Sequence, residues 1–171
     1  SLSAYTQVLT PIFLNTTFTT LSAIKKNCPQ LPAVFGFCGL PSFLNREVLE
    51  VSLLSPDHAS DLQKICGLLQ TDFAVVDDRV GLVTPRIICM IINEAYYTVQ
   101  ESTASRKDID LAMKLGTNYP YGPFEWCHKI GVENVYQLLD QVYQDTHDER
   151  YKICALLKKE FYSAGVNVTM Q

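Results

Sequence analysis

Residues 109–126 read IDLAMKLGTNYPYGPFEW, and the folding of that stretch decides what the second half of the chain is. It begins as an amphipathic helix and runs into a turn punctuated by Gly and Pro and crowded with Tyr119, Tyr121, Phe124 and Trp126. A connecting loop is ordinarily small and polar. Aromatic rings and prolines at this density predict instead a rigid, partly apolar wall, the kind of surface that lines a pocket, a core or an interface. Asn118, Tyr119, Pro120, Tyr121, Gly122 and Phe124 are its candidate residues.

Working outward, the texture on both sides is helical. Ser105 followed by Asp108 resembles a capping box with Asp replacing the usual Glu, and Gly116 is expected to close the helix it opens. Upstream, Thr84-Pro85 can start a helix, because Pro at the first helical position loses only an orphan N–H. The run that follows, RIICMIINEAYYTVQE, is apolar almost all round for three turns and must be covered by its own domain or by a partner. Asn93 and Glu94 inside it are expected either as a buried hydrogen-bonded pair that orders helix packing or as polar groups at a cleft. Downstream, GPFEWCHKIG is a short helix, and VENVYQLLDQVYQ and ERYKICALLKKEFY complete a cluster of four or five.

Before Gly81 the texture changes. PIFLN, AVFGFC, EVLEVSLL and DFAVVDD have strand length and strand composition. TTLSAIKK reads as a helix, and Ser55-Pro56-Asp57 opens another that carries Leu62, Ile65, Cys66 and Leu69. The fold class is therefore mixed: a small α/β unit of about four strands over residues 1–80, then an all-α domain over 81–171.

Bulk properties narrow the function. A chain of 171 residues with 47% hydrophobic and 19% charged residues can build a core without staples. The net charge of −4 and the lack of a basic stripe argue against nucleic acid. No apolar run approaches membrane-spanning length, and no signal-peptide pattern opens the sequence. Cys28, Cys38, Cys66, Cys89, Cys127 and Cys154 show no CxxC spacing and mostly sit in apolar runs, as buried thiols of a reducing cytoplasm would.

Chemistry-bearing motifs are sparse. A dinucleotide fold needs G-x-G-x-x-G after its first strand, but Gly36 and Gly39 are the closest approach, at the wrong spacing. No Walker motif or nucleophile elbow is present, so no cofactor is expected to bind this chain alone. His58, His128 and His147 are scattered away from metal-ligand spacing and read as surface or packed residues, so no metal site is expected. Glu50, in a strand run, can simply point to solvent by period-two alternation.

From residue 75 to about 135 the sequence carries a longer pattern. An acidic pair precedes GLV, then N-E-A, then ASRKDIDLAMKLG, then YPYGPFEW. This resembles the C-terminal helical domain of the 3-hydroxyacyl-CoA dehydrogenases. FLNTTFTTLSAI and GFCGLPSFLNREVLEV resemble, more weakly, the last strands of that family's NAD-binding domain. The resemblance implies an NAD-dependent enzyme in which a His held by a Glu acts as base and a Ser and an Asn assist. The helical domain dimerises and walls the acyl site. Residue by residue the machinery is degenerate: Pro41 stands at the His position and Pro85 at the Asn position. Glu50 corresponds to the supporting Glu across a short gap, and Thr17 to the Ser. A prolyl ring can neither take a proton nor hold a carbonyl oxygen. GLPSFLNR, TPR and NYPYGPFEW look most like the second, duplicated segment of longer family members, where it follows a remnant of the Rossmann domain. Two functions follow from this. One is a non-catalytic module that forms a homodimer or docks on a catalytic dehydrogenase chain and still meets acyl-CoA. The other is a 3-hydroxyacyl-CoA dehydrogenase active only with an NAD-binding domain supplied elsewhere. The chemistry of the sequence favours the first.

Overall fold

Parallel neighbours in a sheet need a crossover between them, and the first half of the chain supplies two. The computed structural model describes residues 10–44 and 46–166, and the chain divides into two compact units, Ser1–Pro85 and Arg86–Gln171. In the first, β1 (Ile12–Asn15), β2 (Val34–Phe37), β3 (Val48–Leu53) and β4 (Asp72–Val76) form one sheet in chain order. β1 and β2 are parallel, joined through α1 (Leu21–Asn27). β2 and β3 are antiparallel. β3 and β4 are again parallel, joined through a 3-10 turn (Pro56–His58) and α2 (Ala59–Leu68). Period-two alternation sends Ile12, Leu14 and Val34 to Leu21 of α1. The opposite face carries Phe13, Phe35, Leu49 and Val51 against Leu62 and Cys66 of α2. All four strands and α2 fall inside the runs that the sequence marks out, and α1 runs one residue past its own, to Asn27.

The second unit is built by helices alone: α3 (Thr84–Gln100, its first two residues falling in the first unit), α4 (Arg106–Thr117), α5 (Pro123–Ile130), α6 (Val132–Thr146) and α7 (Ala155–Val166). α6 buries Val135, Leu138, Leu139 and Val142, a stripe at i, i+3, i+4 and i+7. Cys89, Ile92 and Tyr96 of α3, Ile130 of α5 and Leu157 of α7 complete the core. Among the described residues no helix is long and apolar enough to cross a membrane.

Three sequence expectations change in detail. Gly116 does not close α4, which runs on to Thr117. The left-handed cap is Asn118 at φ 55°, a conformation Asn tolerates because its short amide can bond locally. Second, Asn93 and Glu94 part company, since adjacent helical residues face about 100° apart. Asn93 is buried and bridges two backbone groups, its Nδ2 donating to the Lys152 carbonyl (2.9 Å) and its Oδ1 accepting from the Cys154 N–H (2.9 Å). Glu94 is exposed. Third, among the described residues α3 is covered on one side only. Its other face, with Ile87, Met90 and Ile91, joins Ile109 and Met113 of α4 to line an open apolar groove of about 480 Å³. Leu111 and Leu115 of α4 stand 52% and 78% exposed. Of the cysteines, five are buried and Cys28 is half-buried; burial pushes the Cys38 and Cys127 thiols up.

Candidate functional site

The aromatic turn is held by its own carboxylates. Gly122 begins α5, and Glu125 reaches back to accept the Gly122 N–H at 3.0 Å while pairing with Lys114 at 2.6 Å. Asp110 of α4 accepts the Phe124 N–H at 2.8 Å, so a carboxylate sits on the positive end of α5. Gly122 lies directly against the α4 backbone: a Cβ placed there would overlap the Cα, Cβ and Oδ1 of Asp110. Tyr121 packs edge-on to Trp126 with ring centres 5.0 Å apart, and the Lys129 ammonium lies 4.3 Å above the Tyr121 ring. The result is a cleft of about 660 Å³ walled by Pro120, Tyr121 and Phe124 and edged by polar residues of α4 and α5. The structure therefore brings Pro120, Tyr121 and Phe124 together as the predicted wall. Gly122 is buried behind it, and Asn118 and Tyr119 are exposed, outside the cleft lining.

Phe124 also borders a second cleft of about 390 Å³. There its ring meets Tyr96 (centres 5.0 Å apart), and the Arg106 guanidinium covers both, 5.1 Å from Tyr96 and 4.9 Å from Phe124. Glu160 holds Arg106 through both carboxylate oxygens and accepts the Tyr96 hydroxyl at 2.6 Å. Burial alone would raise the Glu160 carboxyl; the bonds from Arg106 and Tyr96 outweigh it and keep the group below its ordinary 4.5. Burial first, and Glu160 second, push the Tyr96 phenol up. A depressed carboxyl stabilises the fold above its unfolded value, and that contribution is lost as pH falls through the folded value. The melting temperature of Glu160→Gln should therefore fall below that of the parent at neutral pH, and the gap should close as pH drops below 4.5. A gap independent of pH would show that the ion pair contributes nothing through charge.

The residues at the degenerate catalytic positions lie in the first unit. Glu50 is half-buried, and its carboxylate does not face open solvent as alternation alone predicts. It accepts the N–H of Val83 (3.1 Å) and of Thr84 (3.0 Å) and the Thr84 hydroxyl, and so caps the start of α3. Pro85 is buried and lines one cleft with Glu50 and Cys38, only about 10 Å³ in volume, room for one water at most. Thr17 is fully buried; its hydroxyl donates to the Asn15 amide oxygen at 2.6 Å and lies 3.4 Å from Cys38 Sγ. Pro41 is exposed in the turn after β2 and does not line that cleft.

The start of α1 is not a free phosphate cradle. In dinucleotide-binding folds the pyrophosphate sits on bare N–H groups where the first helix begins. The helix following β1 here is already filled: Asp78 accepts the Leu21 and Ser22 N–H groups at 2.7 and 2.8 Å, and the Thr20 hydroxyl accepts that of Ala23. Gly36 and Gly39 serve close packing inside the unit. A Cβ on Gly36 would strike Ser52 and Thr16, and one on Gly39 would meet the Asn15 amide at 2.7 Å. Among the described residues no three His, Cys, Asp or Glu side chains gather as a metal site.

Sequence reading missed Asp110, Arg106, Glu160 and Lys129. Only Glu125, three residues after Gly122, carried a local sign as a cap partner. Asp110, Arg106 and Glu160 meet their partners across helices, which spacing along the chain does not reveal, and Lys129 folds back onto Tyr121 in the turn before its own helix.

The helical unit and its aromatic turn have known counterparts. Residues 81–166 match the 3-hydroxyacyl-CoA dehydrogenase C-terminal domain, and the chain belongs to that family. It is 42% identical over 113 residues to a 3-hydroxyadipyl-CoA dehydrogenase of Escherichia coli K12, an overlap that covers 65% of this chain and 24% of that protein. A probable 3-hydroxybutyryl-CoA dehydrogenase of Bacillus subtilis is 32% identical over 119 residues, covering 70% of this chain and 41% of the relative. The crystal structure of a 3-hydroxybutyryl-CoA dehydrogenase from Escherichia coli superposes with a TM-score of 0.76 at 28% identity, over 92% of this chain and 33% of that one. That of an (S)-3-hydroxybutyryl-CoA dehydrogenase from Ralstonia eutropha also gives 0.76, at 26% identity, over 90% of this chain and 55% of its own. The chain thus spans roughly a quarter to two fifths of the curated relatives named here.

Proposed function

We propose that the chain is the acyl-site wall and docking module of a 3-hydroxyacyl-CoA dehydrogenase assembly and does not itself carry hydride chemistry. The fate of Glu50 carries this reading. Its carboxylate is spent on the N–H groups at the start of α3, and the residues that would make a base and a carbonyl clamp are the prolines Pro41 and Pro85. The named relatives act on 3-hydroxyadipyl-CoA and 3-hydroxybutyryl-CoA, so the wall of Pro120, Tyr121 and Phe124 is read as facing the acyl part of such a thioester. The buried thiols suit a reducing compartment such as the cytoplasm. With NADH and acetoacetyl-CoA the isolated chain is expected to oxidise NADH at the background rate. Turnover above background that disappears in Glu50→Gln would overturn the proposal.

The docking half of the reading rests on the open groove of α3 and α4. The contiguous apolar face of Ile87, Met90, Ile91, Ile109 and Met113 is the kind of surface that a partner covers. A second copy of this chain is the proposed occupant, and sedimentation at micromolar concentration should report a dimer that Met113→Glu converts to monomer. A monomeric parent would remove this assignment.

One observation favours the alternative, an enzyme completed by an NAD-binding domain supplied elsewhere. Among the described residues β1 is an edge strand, paired on one side only. Ile12 and Thr16 donate toward β2, to the Ala33 and Phe37 carbonyls at 2.9 Å each, so the N–H groups of Phe13 and Asn15 point to the open edge. That edge carries no charge and can accept a further strand. Activity appearing only on addition of a separately expressed dinucleotide-binding domain would establish it.

A further inference from the structure

The 660 Å³ cleft carries both satisfied and unsatisfied charges. At the start of α5 the charges are satisfied. Asp110 caps the Phe124 N–H, and Glu125 is bonded to Lys114 and to the Gly122 N–H. His128 and Lys129 stand further along α5, and the Lys129 side chain reaches back toward Tyr121, ahead of the helix start. Among the described residues no carboxylate lies within ion-pair distance of the Lys129 ammonium. Glu125 feels its charge but has its hydrogen bonds elsewhere. The ammonium rests on the Tyr121 face, 4.3 Å from the ring centre, which fixes it at the rim of the apolar wall. An apolar wall rimmed by an uncompensated cation suits a ligand that is apolar along its length and anionic at its tip.

We propose that this cleft selects acyl thioesters bearing a second, terminal carboxylate, and that Lys129 is the specificity-determining residue that receives it. The inference rests on the acyl-wall reading and adds to it the class of acyl group. It also gives the two lysines of the cleft different duties. Lys114 is structural, tied to Glu125, while Lys129 is left for the ligand. Phosphate on the CoA portion is the other source of negative charge, and the experiment separates the two.

The single tryptophan, Trp126, packs against Tyr121 and reports on the wall by its fluorescence. The chain is titrated with adipyl-CoA, with hexanoyl-CoA (equal in length, without the second carboxylate) and with CoA alone, for the parent, Lys129→Ala and Lys129→Arg. Lys129 is exposed, so neither substitution disturbs the core. An ion pair at an exposed site is worth about a three- to fivefold change in affinity. The parent is expected to prefer adipyl-CoA over hexanoyl-CoA by that factor, Lys129→Ala to erase the preference and Lys129→Arg to restore it. Equal affinity for both thioesters in the parent would overturn the proposal and leave the acyl wall standing. A loss in Lys129→Ala shared equally by CoA alone would overturn it in favour of a phosphate contact. Failure of every ligand to bind would overturn the acyl-wall reading itself, and this inference with it.

Discussion

Gly122→Ala should unfold the aromatic turn and cost the helical unit about 3 kcal/mol, at the upper end of what overpacking ordinarily costs. The argument is one of geometry. Gly122 has an ordinary extended backbone (φ −75°, ψ 167°), so conformational freedom is not what the position requires. What it requires is space. A Cβ there would lie inside the Cα, Cβ and Oδ1 of Asp110, and the first of these is helix backbone that no rotamer change can move. Relief demands that α4 and α5 separate, and the same movement pulls Asp110 from the Phe124 N–H and Lys114 from Glu125. Against the 5–15 kcal/mol of a typical domain, such a loss is a large fraction. Urea unfolding followed by Trp126 fluorescence measures it. Gly116→Ala is the control: nothing lies within 4 Å of a Cβ at Gly116, and it sits inside α4, where Ala is the better helix former. An unchanged midpoint for Gly122→Ala would show that the helices are not packed this closely.

Much of the fold was legible because its signals are local. Each strand announced itself by a short β-branched run, and α6 by its stripe of Val135, Leu138, Leu139 and Val142. The aromatic turn was legible as a wall for the same reason, since rings at that density exceed what a loop needs. The means by which the wall is held was not legible. Asp110 meets Phe124 across 14 residues and Arg106 meets Glu160 across 54, and neither pairing leaves a trace in spacing. Glu50 shows the limit most plainly. Alternation gave it an outward direction, but alternation knows nothing of the bare Val83 and Thr84 N–H groups arriving beside β3, and 33 residues separate Glu50 from Val83. Gly116 erred in the other direction, where a residue's general preference was read as its role and Asn118 took the cap.

Asn93→Leu is the second substitution expected to have a large effect, about 2 kcal/mol, despite keeping the number of side-chain heavy atoms and adding apolar surface to a buried position. Asn93 is 1% exposed and acts as a two-pronged clamp on the segment that leads into α7. Its amide nitrogen satisfies the Lys152 carbonyl, and its amide oxygen satisfies the Cys154 N–H. Leucine can do neither. The buried Cys154 N–H would then lose its partner, at a cost of about 1–3 kcal/mol, while the Lys152 carbonyl keeps the Tyr97 hydroxyl at 3.3 Å and loses only one of its two bonds. The gain from burying extra methyl groups, about 25 cal/mol per Å², offsets part of this and sets the net estimate. Asn93→Asp separates the two prongs. Its oxygen can still accept from Cys154, but the other now faces the Lys152 carbonyl with no proton between them, so the destabilisation should be greater at neutral pH and ease on acidification as the carboxyl becomes a donor. Amide hydrogen exchange at Cys154 gives the site-specific readout: the parent should protect that N–H as strongly as the core, and Asn93→Leu should release it before global unfolding. Equal protection in both proteins would show that the segment is held by Leu157 and its neighbours, not by the amide clamp.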